Sequence, residues 1–373
     1  MKEFIFFMAV ALLFAWAIEK TYVRTLHSLA TRNKDRLCCF LIFVGLTIFV
    51  GLRTYYNDTA VYLSAYESSL VFPDFWDSFH AELGANPGFT ITQACLKTSG
   101  VSSQGFLLFF AAVSVGCSIY FLKSYSTNFL LSLFLFFTTN AYTLTAAAVK
   151  QSAAIALSLV AITFALKRKW IPFAVLILFA ATFHPYVLLY ALVPILMFKP
   201  WTKGTYIMLA IFAIAGFTLQ SLLGSIVDIT SMIGDSYSEE SFIGEGINIF
   251  RVLVANVPLF LTWMYRRSLF RGSSRAENLM VNLAMLNGAI MFVGMFGTAI
   301  YFSRMASYFT IAQCVALPWI LSKLPQSRRR FYTAAMIVGY CGFFVYANII
   351  TLSFDAGFGR ITLFEYLQNY VFK

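Results

Sequence analysis

Hydrophobic stretches of about the length needed to cross a bilayer recur from one end of the chain to the other, and they leave few folds open. A spanning helix takes ~17 to 25 predominantly apolar residues. Stretches of that length or close to it fall at roughly 4–18, 37–52, 103–122, 128–142, 147–166, 171–184, 186–198, 205–223, 249–265, 278–297, 305–321 and 331–350. Barrel strands would instead alternate apolar and polar residues. With 60% hydrophobic and 12% charged residues, no water-soluble fold of this length covers so much apolar surface. The expectation is an all-α polytopic integral membrane protein with about 12 transmembrane helices, one membrane domain over residues 1–373. The first stretch, Phe4 to Ile18, has no small-residue cleavage site before the basic residues that follow, so it reads as a retained helix. The arms around Phe183-His184-Pro185 are both short, which suggests two broken or tilted helices meeting at one face.

Positive charge sets the orientation. Alternate connections hold 19 of the 27 basic residues and, of the 16 acidic ones, only Glu19, Asp35 and Glu277. By the positive-inside rule these connections are cytoplasmic. The net charge of +11 is thus divided by membrane side and calls for no nucleic acid. Both termini then lie outside, together with external segments at about 53–102, 224–248 and 351–373. The apolar spacing of Val61-Tyr62, Tyr66, Leu70-Val71, Phe89, Ile91 and Leu96 predicts short amphipathic helices lying on the membrane, roofing a cavity.

Missing motifs narrow the chemistry. The chain has no phosphate-binding P-loop, no complete Gly-x-Gly-x-x-Gly, no His-Glu-x-x-His and no Asp-x-Asp pair. Its three histidines, His27, His80 and His184, are too far apart in sequence to suggest a metal site. The six cysteines are scattered and read as small packing residues. No cofactor and no metal is expected.

Ionisable groups at or just inside the external helix ends are the informative residues: Arg53, Asp58, Lys150, His184, Arg251 and Arg304. A cation costs ~2.5 to 3.5 kcal/mol at the bilayer centre, so such groups face a polar cavity or snorkel to the interface. A lipid-linked pyrophosphate suits the cluster. Arginine forks bind phosphate oxygens in a bidentate way, and fixed cations stabilise the charge that grows on a pyrophosphate leaving group. His184 or Asp58 is the candidate base for a sugar hydroxyl. The first external segment mixes rings and carboxylates suited to sugars, with Tyr56, Tyr62 and Glu82 as candidates. The same rings also suit an interfacial aromatic belt. Gln151, closing the polar run from Asn140, is a further sugar-binding candidate.

Four places resemble the EpsG family of Wzy-type exopolysaccharide and O-antigen polymerases. They are Gly51-Leu52-Arg53 followed by Asp58-Thr59 and Tyr62; the run Asn140 to Gln151; Ala181-Thr182-Phe183-His184; and Arg304 opening a late helix. Two departures stand out: Lys150-Gln151 in place of Arg-Gln, and Pro185-Tyr186 where a small residue usually follows the histidine. Lys150 keeps the charge but lacks the fork. The resemblance implies a GT-C-like glycosyltransferase architecture in the bacterial cytoplasmic membrane, acting at its external face on undecaprenyl-pyrophosphate-linked oligosaccharide. It also implies a flippase and a chain-length regulator as partners. Arg53, Arg251, Arg304 and Lys150 would hold the pyrophosphate, and His184 or Asp58 would activate the acceptor. A glycan ligase, a lipid-linked oligosaccharide flippase and a membrane O-acyltransferase remain alternatives.

Overall fold

The computed structural model describes residues 2–24, 29–72, 74–77, 86–232, 245–350 and 358–371. Helices dominate, because apolar surroundings force each backbone polar group to find its partner within its own segment. Two long helices open the chain, α1 (Lys2–Arg24) and α2 (Leu29–Gly51). After α2 come strand β1 (Arg53–Tyr55) and two shorter helices, α3 (Thr59–Ser68) and α4 (Pro87–Thr98). Then follow α5 (Ser103–Tyr125), α6 (Phe129–Thr138), α7 (Val149–Leu166) and α8 (Trp170–Ala181). The second half holds α9 (Lys203–Met232), α10 (Ile249–Ala255), α11 (Val257–Met264), α12 (Arg275–Val293), α13 (Ala299–Ser322) and α14 (Gln326–Val345).

Among the described residues five helices are long and apolar enough to cross a membrane: Ser103–Tyr125, Val149–Leu166, Arg275–Val293, Ala299–Ser322 and Gln326–Ile350. Phe129–Thr138, Trp170–Ala181 and Lys203–Thr218 are shorter apolar helices. The chain is a multi-pass, all-α membrane protein in architecture, although several stretches expected as single spans are broken. The 249–265 stretch splits at Asn256 into α10 and α11, with Pro258 in the first turn of α11. The 186–198 arm is not α-helical but runs as 3₁₀ turns over Pro185–Leu192 and Ile195–Met197. The 128–142 stretch stops at Thr138, because Asn140 takes up a left-handed conformation (φ 62°), which Asn tolerates at a helix end. The stretch 224–248, expected as an external segment, begins in helix, since α9 runs to Met232. Residues 233–244 and Glu82 lie outside the described residues.

One small sheet joins the segment after α2 to the C-terminal segment. Strand β1 pairs antiparallel with β2 (Gly359–Arg360), and Ile361 N–H donates to Leu52 O at 3.0 Å. Arg360 Nε bonds Glu3 Oε2 at 2.6 Å, which brings the start of α1 to the same place. Below it the Phe4 ring stacks on Tyr142 (5.8 Å) and Phe344 (5.7 Å). Van der Waals packing of this kind holds helices together where lipid is as apolar as the side chains.

Candidate active site

The ends of α2, α7, α8, α10 and α13 meet beneath α3 and α4. Lys150 is the second residue of α7, and Arg304 stands one and a half turns into α13. His184 occupies the break between α8 and the following 3₁₀ turn, where Pro185 prevents the helix from continuing. These three side chains act on one another: Arg304 and Lys150 are the charges felt by His184. Tyr62 of α3 joins the group, its phenol lying within reach of the charges of Asp58, Arg53 and Arg304. The N-terminal end of α7, where Lys150 stands, also carries the positive end of the helix dipole, which favours an anion.

His184 is held by a residue the sequence did not single out. Tyr308 Oη lies 2.8 Å from His184 Nδ1, and Tyr308 is itself fully buried, its backbone carbonyl accepting from Tyr190 Oη. Burial first, then the cations Arg304 and Lys150, push the His184 pKa down to about 4. The ring is therefore neutral at physiological pH. When Nδ1–H donates to Tyr308, Nε2 carries the free lone pair.

A cavity of about 230 Å³ opens beside this group, with Arg251 and Arg304 both on its wall. Arg304 thus belongs to both places. Asn57 and Asn140 line the cavity with left-handed backbones (φ 43° and 62°), a conformation that Asn adopts more readily than most residues. Tyr56 lines it too, buried and packed on Phe358 (5.5 Å).

The remaining expected residues divide by what they touch. Arg53 is 1% exposed; its Nη1 donates to Val50 O (2.8 Å) and its Nε to Thr59 Oγ1 (3.0 Å). Burial lowers its pKa to about 10, so it stays charged. It reaches the site as a charge through space, with no path to contact a phosphate in this conformation. Gln151, expected at a sugar, is 2% exposed and donates to Arg304 O (2.8 Å) and Ser307 Oγ (2.6 Å), which ties α7 to α13 at Arg304. Asp58 is exposed at the N-cap of α3 without a capping side-chain bond. Lys150 lies over the Phe89 ring of α4 (4.9 Å). Among the described residues no three of His, Cys, Asp and Glu converge as a metal ion would need.

A profile of the EpsG family matches residues 36–363. The chain belongs to the EpsG family. The match takes in each of these site residues and spans nearly the whole chain. No curated protein and no solved structure matches it. Membership in the EpsG family points to a polysaccharide polymerase of the Wzy type and to a lipid-linked oligosaccharide as its substrate class.

Helix α4 packs on the turn that carries His184, and Gly88 is what lets it seat. Gly88 N–H donates to Thr182 O at 2.9 Å, two residues before His184. A Cβ on Gly88 would collide with Thr182 Oγ1 and lie 2.9 Å from Thr182 Cβ and 3.0 Å from Phe183. Gly88→Ala is therefore expected to push α4 off the His184 turn, at a cost of about 1 to 3 kcal/mol. A lowered thermal midpoint in detergent together with shortened glycan would agree; wild-type values for both would show that α4 does not hold the turn.

Proposed function

We propose that this protein polymerises a polysaccharide at the external face of the bacterial cytoplasmic membrane, moving the growing glycan from undecaprenyl pyrophosphate onto the non-reducing end of a lipid-linked repeat unit. The observation that carries this is the meeting of Lys150, Arg304 and neutral His184 at one end of the bundle, with Arg251 across the adjoining cavity. Arg304 and Arg251 hold the pyrophosphate, and Lys150 and the buried Arg53 add positive potential. As the bond between the anomeric carbon and the pyrophosphate oxygen breaks, its electron pair passes to that oxygen, where fixed cations stabilise the new charge. The acceptor hydroxyl attacks the same carbon and gives its proton to His184 Nε2, with exposed Asp58 as the other candidate base. No metal enters this scheme, because four cations take its place.

Purified protein in liposomes, supplied with one lipid-linked repeat unit as both donor and acceptor, tests the reading. A ladder of products with release of undecaprenyl pyrophosphate is expected. Transfer of the unit to a different acceptor without extension would make the protein a ligase, and movement of the unit across the bilayer without any change in length would make it a flippase.

A further inference from the structure

One residue of the cavity wall carries a buried acceptor that has no role in the scheme above. Asn287 lies on α12, six residues before its end and so about 9 Å in from it, and it is 1% exposed. Its Nδ2 donates to Gln313 Oε1 at 3.0 Å. Gln313 Nε2 in turn donates to Val254 O (2.9 Å) and to Tyr340 Oη (2.7 Å), and Tyr340 Oη donates to Val254 O (3.1 Å).

That chain of bonds fixes which way the Asn287 amide points. A backbone carbonyl can only accept, so Val254 O requires the Gln313 nitrogen on its side, which leaves Gln313 Oε1 facing Asn287. Asn287 must then offer its nitrogen to Gln313 and turn Oδ1 away. This oxygen is buried and accepts no hydrogen bond among the described residues, while Asn287 is part of the wall of the cavity that Arg251 and Arg304 share. Orphaned acceptors of this kind are rare and call for a partner.

We infer that Asn287 Oδ1 is the acceptor for a hydroxyl or amide N–H on the sugar directly attached to the pyrophosphate. This rests on the pyrophosphate reading of the same site. A cationic donor is disfavoured beside two guanidinium groups, so the partner is a neutral donor, and a sugar ring carries several. The cavity has room for a ring where a lone acceptor would otherwise need a single water. Asn287 is a specificity-determining residue on this account: a sugar without a donor at that position leaves a buried oxygen unpaired, which is the situation in which binding sites discriminate most strongly.

The test measures binding of two short probes to the full chain in nanodiscs. One is citronellyl pyrophosphate, and the other is the same molecule carrying one hexose from a panel of glucose, galactose and N-acetylglucosamine. Wild type is expected to prefer at least one glycosylated probe by roughly tenfold. Asn287→Leu, similar in shape and without the acceptor, should erase that preference and leave binding of the bare probe unchanged. A preference that survives Asn287→Leu overturns the inference, as does wild type that binds bare and glycosylated probes equally. If Leu abolishes binding of both probes, Asn287→Asp decides, since it keeps an oxygen acceptor in place: a sugar preference near wild type supports the inference and its loss overturns it. Failure of the pyrophosphate reading itself has a different signature, namely bare-probe binding that Arg251→Ala and Arg304→Ala leave untouched.

Discussion

Replacing His184 with alanine is expected to lower the polymerisation rate by roughly 10²- to 10⁴-fold, the usual contribution of a positioned acid or base, with the protein still in the membrane at its normal level. The pH profile carries the sharper information. With burial and two cations holding its pKa down to about 4, His184 is already neutral throughout the neutral range. In the free enzyme it takes a proton only as pH falls toward 4. The acid limb of kcat/KM, which reports the free enzyme, should therefore lie well below the ordinary histidine value of about 6.5. Bound pyrophosphate adds negative charge beside the ring and favours the imidazolium, so the limb of kcat should sit higher. The stability term has the same sign. The folded state prefers neutral His184, so its contribution is complete above about pH 6.5 and is lost as pH falls from there toward 4. Tyr308→Phe removes the 2.8 Å bond that fixes the ring and should reduce rate without moving the bare-probe affinity. An acid limb unchanged between wild type and His184→Ala would assign the proton transfer elsewhere, with Asp58→Asn the next variant to examine.

Hydropathy located the long apolar helices, among them the five described ones able to cross a membrane, because the bilayer admits only segments that satisfy their own backbone. It did not locate the breaks within them. A run such as Val252 to Met264 is equally apolar whether continuous or split at Asn256, and the 3₁₀ turns after Pro185 have the composition of a helix. The pairing of β1 with β2 was also beyond reach, since it joins three residues to two across 300 positions of sequence. At the site, Lys150, His184 and Arg304 were legible because a charge at a helix end in an apolar chain has few explanations. Tyr308 and Asn287 were not, for buried tyrosines and amides carry no charge to betray them. A signal for Asn287 did exist: α12 places Asn278, Asn282 and Asn287 in a single apolar helix, and amides at that depth need partners. Arg53 shows the opposite limit, where charge and motif were visible but burial against Val50 and Thr59 was not.

Arg304→Ala is expected to collapse the ladder to single units, with a loss on the order of 10²- to 10³-fold, as when one preorganised donor to a developing oxyanion is removed. The structure separates this from a folding defect. The Arg304 side chain is exposed, and Gln151 ties α7 to its backbone carbonyl and to Ser307, contacts that alanine retains. Exposed substitutions of that sort stay within about 0.5 kcal/mol in stability. Arg304→Lys should recover part of the rate, since it restores the charge without the two-pronged geometry that phosphate oxygens fit. Loss of Arg304 also removes one of the two cations acting on His184. The acid limb of kcat/KM should then shift upward in Arg304→Ala and stay in place in Arg304→Lys, which no purely structural role for Arg304 would produce. Full-length glycan from Arg304→Ala would mean that the cations at this end of the bundle serve only to anchor helices at the interface, and the pyrophosphate would have to bind elsewhere.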